Sequence, residues 1–121
     1  MHRFIVYAAY GWLTFTGVMH FAIDVVSQHL RGKHAPGTET TLYYGLHSAF
    51  ALGQVVFGLL GLWLARRAPD VLDELPVVAV AWVAAAGWLA IAVFFIEYWQ
   101  PKLNAAVFGV LIVAAALTGR R

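Results

Sequence analysis

The chain has 121 residues, 62 % of them hydrophobic and only 12 % charged, with a mean hydropathy of +0.75. Charged residues make up about 25 % of an ordinary globular chain, so a water-soluble domain is excluded and one integral membrane domain over residues 1–121 is expected. The net charge of +2 is scattered over segment ends, which excludes nucleic acid as a partner, and the lack of cysteine excludes disulfides, thiolate zinc, iron–sulfur clusters and thiol redox chemistry.

Crossing a bilayer takes roughly 20 apolar residues, and four stretches come close. The first runs over about residues 4–26, behind Met1-His2-Arg3. It exceeds the roughly 7–15 residues of a signal-peptide core and no small-x-small cleavage site follows it, so it reads as an uncleaved span. The loop Ser27 to Thr40 contains the turn signal Pro36-Gly37, offers Thr38 and Thr40 as N-caps, and carries His29 and His34 as exposed histidines. A second span covers about residues 41–65. The charged stretch Arg66 to Glu74 follows, with Pro69 ending the helix. The third span covers about residues 75–99, Gln100-Pro101-Lys102 makes a tight turn, and a short fourth span covers about residues 103–118.

Each span must satisfy its own backbone polar groups in lipid, so the expected fold is an all-α, four-helix transmembrane bundle. Arg3, Arg66, Arg67, Arg120 and Arg121 fall on one side, against Arg31, Lys33 and Lys102 on the other. The positive-inside rule then puts both termini in the cytoplasm. Trp99, Tyr43 and Tyr44 mark the outer boundary and Trp63 the inner one. The Ala, Val, Gly and Arg usage suits a bacterial inner membrane. On the second span Gly45, Ala49 and Gly53, continued by Gly61, form a small-xxx-small face for close packing with another helix, a second copy or a larger membrane complex.

A second stripe on the same span, His47, Ala51, Gln54 and Gly58, points elsewhere and is polar. Thr16, His20 and Asp24 stack at intervals of four on the first span. His20 and His47 lie at equal sequence distances from the intervening loop, roughly 10 Å below the outer surface at 1.5 Å per residue. The topology brings Glu97 and Asn104 to the same outer half. Asp at mid-membrane costs about 2.5–3.5 kcal/mol, so these groups should face inward and bond one another or water.

Four uses fit such a cluster. It can be a buried hydrogen-bond network that fixes helix register. It can be the mouth of a pocket for a lipid, quinone or isoprenoid, walled by Trp12, Phe50, Phe94, Phe95, Tyr98 and Trp99. In the catalytic form of that reading His20 or His47 moves a proton, Asp24 or Glu97 orients it, and Tyr44, Gln54, Asn104 and Trp99 contact the ligand. Thirdly, His20, Asp24, His47 and Glu97 can hold a divalent metal such as zinc or iron. Lastly, His20 and His47 can ligate a b-type haem, with Gly17 and Gly58 making room. The expected role is to bind or process a small hydrophobic molecule at an outward-facing polar site. A non-catalytic accessory subunit is the alternative.

Overall fold

The structure is a computed structural model and describes residues 1–119; Arg120 and Arg121, counted in the charge asymmetry above, lie outside the described residues. It is an all-α bundle. Helix α1 is a 29-residue rod, His2–Leu30. Helix α2 spans Thr38–Arg67, α3 is the single turn Pro69–Leu72, α4 spans Leu75–Phe95 and α5 spans Gln100–Gly119. Helices α1, α2, α4 and α5 are each long and apolar enough to cross a membrane, and the chain is a multi-pass membrane protein on that composition.

The ends of the rods differ from the sequence expectation for local reasons. Helix α1 runs to Leu30, and Gly32 closes it in the left-handed region at φ +60°. The Gly32 N–H donates to the His29 carbonyl and the Lys33 N–H to the Gln28 carbonyl, each at 3.1 Å. That pair of bonds is a Schellman motif, which satisfies carbonyls left over at the helix end. Thr38 and Thr40 are not N-caps: Gly37 holds that position, the Thr40 hydroxyl donates back to the Ala35 carbonyl, and Thr41 donates to Gly37. Pro69 begins α3 instead of ending α2, and Pro101 sits in the first turn of α5, where a missing N–H costs nothing. The turn expected at Gln100-Pro101-Lys102 falls earlier, over residues 96–99. The Lys102 ammonium donates to the carbonyls of Ile96 and Tyr98 and closes that connection.

Inside α1, residues Ala22–Ser27 form a π-helical turn with Asp24 buried within it. No proline or glycine interrupts the rod there. Such turns bond i to i+5 and occur frequently at functional sites.

Helix α1 is central, packed along both α2 and α5, while α4 packs on α5. The buried residues of α2 are His47, Phe50, Ala51, Gln54, Gly58, Gly61 and Ala65; those of α1 include Tyr10, Leu13, Thr16, Gly17, His20 and Asp24. Spacings of three and four keep each stripe on one side of its helix. The stripe read as polar is therefore also the close-packing face. A β-carbon on Gly58 would lie 2.2 Å from Thr14 Oγ1, and one on Gly61 would lie 2.1 Å from Tyr10 Cδ1. Gly45 has nothing within 4 Å of that position, and Gly53 only meets Trp88 at 3.5 Å. Gly45 and Ala49 are exposed on the outer surface of α2. Gly61 thus belongs with Gly58 against α1, not with Gly45 and Ala49.

Tyr10 fills the centre, edge-on to Phe108 at 5.9 Å and tilted against Phe57 at 6.0 Å. Trp88 bridges Phe57 and Phe108 and joins α4 to the other helices. The Trp12 indole donates to the Asn104 carbonyl at 3.0 Å, tying α1 to α5. At the other end His2 joins Thr118 and Asp73, both at 2.9 Å, and clamps the start of α1 to the end of α5.

These contacts predict that Gly58→Ala and Gly61→Ala each destabilise the bundle by about 1–3 kcal/mol through overpacking, whereas Gly45→Ala changes little. Thermal unfolding in detergent checks this; equal effects at all three positions would contradict the packing described.

Candidate functional site

His20 and His47 meet across the α1–α2 seam. His20 Nε2 lies 2.8 Å from His47 Nδ1, and the ring centroids are 4.9 Å apart. On its other side His20 Nδ1 is 2.9 Å from Asp24 Oδ2. All three residues are buried: His20 is 6 %, Asp24 8 % and His47 3 % exposed. Each histidine lies roughly 15 Å from the loop-side end of its rod. The distance to the helix end exceeds the seven residues counted from the sequence because both helices continue further into the loop.

The hydrogen positions follow from the chemistry of the partners. A carboxylate only accepts, so His20 Nδ1–H donates to Asp24. If His20 is neutral, its Nε2 is an acceptor and His47 Nδ1–H donates to it. If His20 is an imidazolium, its Nε2–H donates to His47, whose remaining hydrogen then sits on Nε2. A proton that arrives at His47 Nε2 can therefore emerge as positive charge on His20, beside the Asp24 carboxylate. The line Asp24–His20–His47 is a hydrogen-bonded relay.

Aromatic rings surround it. Tyr43 lies 4.3 Å from the His47 ring, and Tyr98 is nearly parallel to it at 6.3 Å. Phe50 lies 5.1 Å from His20. The Tyr98 hydroxyl is buried without a partner at hydrogen-bond geometry, although the Asp24 carboxylate is close enough to influence it. Burial first, and then that carboxylate, push the Tyr98 phenol well above its ordinary value. It stays neutral and remains a donor.

His20, Asp24 and Tyr98 form part of the wall of a cleft of about 350 Å³, completed by Tyr43, Gln28, Asn104 and neighbouring residues. The cleft is lined by polar as well as aromatic side chains, whereas two larger or comparable cavities, against α4, are lined by apolar side chains and Tyr10. It opens where α1 meets the start of α5.

Among the sequence candidates, His20, Asp24 and His47 come together and Asn104 reaches the cleft. Glu97 is exposed and outside the cluster. The cause is the early end of α4. Beyond Phe95 the backbone is extended at Ile96, so successive side chains alternate sides. Ile96 is buried, Glu97 exposed, the Tyr98 hydroxyl buried and Trp99 63 % exposed. Trp99 thus has the position of an interfacial aromatic. Gln54 is buried seven residues beyond His47 in the α1–α2 seam, where its Cβ would meet a side chain placed on Gly17. Tyr44 packs edge-on against His29 and His34 and braces the loop.

Tyr98, expected as pocket wall, lines the cleft. Two participants fall outside the sequence candidates for the site: Tyr43, expected as a boundary aromatic, and His34. The expectation that His29 and His34 are both exposed holds for His29 alone. His34 folds back onto Tyr43, 4.2 Å between centroids, with its Nε2 buried and unpartnered. A visible signal was the period of four linking Tyr43 to His47.

The arrangement also bears on cofactors. Nitrogens in hydrogen-bond contact leave no space for a porphyrin between the two imidazoles, so this geometry does not fit a bis-histidine haem. Donor atoms of His20, Asp24 and His47 do all lie within 4.8 Å of one another, close enough to share a metal ion. Comparison with known protein families, curated proteins and solved structures finds no match for this chain.

Proposed function

We propose that the protein binds a small lipophilic molecule of the lipid, quinone or isoprenoid class. Its polar head lies in the cleft beside Asp24, and the Asp24–His20–His47 relay exchanges a proton with it. The observation that carries this reading is a buried imidazole pair, anchored by a carboxylate, at the wall of a polar cleft within a membrane bundle. An ionisable group inside a membrane is costly and marks function by default. A chain of three is more than register requires, since interhelical polar contacts contribute only about 0.6 kcal/mol each on average.

The cleft volume is near the lower end of the roughly 300–1,000 Å³ typical of ligand sites. It suits a head group of ring size, with the tail left in the bilayer. Tyr98 and Asn104 supply donors for oxygen atoms on the head. The proton step is simple. A proton arriving at His47 Nε2 moves the shared hydrogen onto His20 Nε2, and the His20 Nδ1 hydrogen passes through Asp24 to a head-group oxygen, leaving both rings neutral. The reverse order takes the proton of a head-group hydroxyl through Asp24 to His20 Nδ1, moves the shared hydrogen back to His47 and releases a proton from His47 Nε2.

Native mass spectrometry of the protein in nanodiscs made from its host's lipids tests this. The wild type should retain a lipophilic molecule that His20→Ala and Asp24→Asn lose by at least about tenfold, a change of about 1.4 kcal/mol. Tyr44→Phe should retain it. Retention by folded His20→Ala and Asp24→Asn protein would leave the cluster as a register-fixing network.

One observation favours the accessory-subunit reading as a second role. Gly45 and Ala49 lie exposed on α2, and among the described residues nothing comes within 4 Å of where a Gly45 β-carbon would sit. Gly45→Leu is then expected to abolish co-purification of a partner subunit or second copy while leaving the monomer's unfolding temperature unchanged. Unaltered assembly would remove this role.

A further inference from the structure

The His20–His47 contact has a second chemical use. Two imidazole nitrogens held face to face with one hydrogen between them occupy the positions of two ligands around an ion. We propose that His20 Nε2 and His47 Nδ1 bind one divalent transition-metal ion of the zinc class in place of the shared hydrogen, with Asp24 as the positioning carboxylate.

The spacing fits after a small movement. Zinc–nitrogen bonds of about 2.0–2.1 Å in a tetrahedral array put ligand nitrogens roughly 3.4 Å apart. The observed separation is 2.8 Å, so the rings must part by about half an ångström. One flank of the pair offers that freedom, because the cleft borders His20.

The hydrogen bookkeeping closes. The hydrogen between the rings moves to His47 Nε2, so both facing nitrogens present lone pairs. His20 keeps its Nδ1–H on Asp24, giving the carboxylate–histidine–metal line that fixes tautomer and ring orientation in metal sites. The carboxylate also offsets part of the ion's charge inside the bundle. Water from the cleft can complete the coordination, so the site is open beyond its two imidazole ligands.

The donor type sets the metal class. Imidazole suits zinc, cobalt, nickel, copper and ferrous iron; calcium and magnesium take oxygen ligands. Glu97, grouped with these residues on sequence, is outside the set. This inference does not depend on the lipophilic ligand. Metal uptake is read without it, and a failure here leaves the proton relay standing.

The probe is Co²⁺, titrated into chelator-stripped protein in detergent and followed by its visible d–d absorption, with Zn²⁺ competition. One Co²⁺ per chain is expected, displaced by Zn²⁺. His20→Ala and His47→Ala should each abolish the spectrum, with circular dichroism confirming the fold. His29→Ala should leave it unchanged. Asp24→Asn should weaken binding 10- to 100-fold, as for removal of an orienting partner elsewhere. Affinity should fall as pH drops, because protons compete for the same nitrogens. No stoichiometric uptake, or an unchanged spectrum in folded His20→Ala and His47→Ala protein, would overturn the proposal.

Discussion

The hydrogen bond between His20 and His47 depends on how closely α1 and α2 approach, and that approach depends on glycine. Gly58 and Gly61 leave room for the Tyr10 and Thr14 region of α1, and Gly17 does the same in the opposite direction for Gln54 and Val55 of α2. Van der Waals contact drives such a seam, since lipid offers no hydrophobic gain for helix association. Both histidines ride on it. The seam acts as a ruler: it sets a distance at which two short, rigid imidazoles can touch, and side chains at Gly58 or Gly61 would force the helices apart.

Burial then dictates chemistry. A lone imidazole or carboxylate in hydrocarbon is expensive, but a carboxylate, a neutral ring and a second ring can share hydrogens and charge. Asp24 stands one turn beyond His20, within the π-helical segment of α1. The connection after α4 completes the enclosure. Its extended backbone turns Ile96 and the Tyr98 hydroxyl inward, and Lys102 holds the carbonyls of both residues. The same alternation sends Glu97 and Trp99 outward. Four packed helices and one short extended segment therefore produce an enclosed polar line with a cleft at one end.

Much of this was legible in the sequence because membrane helices obey simple rules. Length and hydropathy give the four crossings, an interval of four places His20 with Asp24, and an interval of seven places His47 with Gln54. The convergence of His20 and His47 follows from two antiparallel rods joined by one loop. The remainder was hidden for physical reasons. Small residues occur on two faces of α2, and composition does not tell which face meets a neighbour; the seam uses Gly58 and Gly61, while Gly45 and Ala49 face outward. The end of α4 at Phe95 follows no proline or glycine, so Glu97 was placed on a helix that had already stopped. The π-turn at Asp24 has no punctuating residue either. Gly32, by contrast, was a readable helix stop, overlooked beside Pro36-Gly37.

The contact between the two imidazoles can be measured directly. Magic-angle-spinning NMR of protein with ¹⁵N-labelled histidine, in lipid bilayers, reports proximity and hydrogen-bond coupling between ring nitrogens. The account predicts a cross-peak between one nitrogen of His20 and one of His47, lost in His47→Gln, with the other His20 nitrogen protonated against a carboxylate. Two histidines that show no mutual coupling and titrate independently, as solvated imidazoles do, would contradict it.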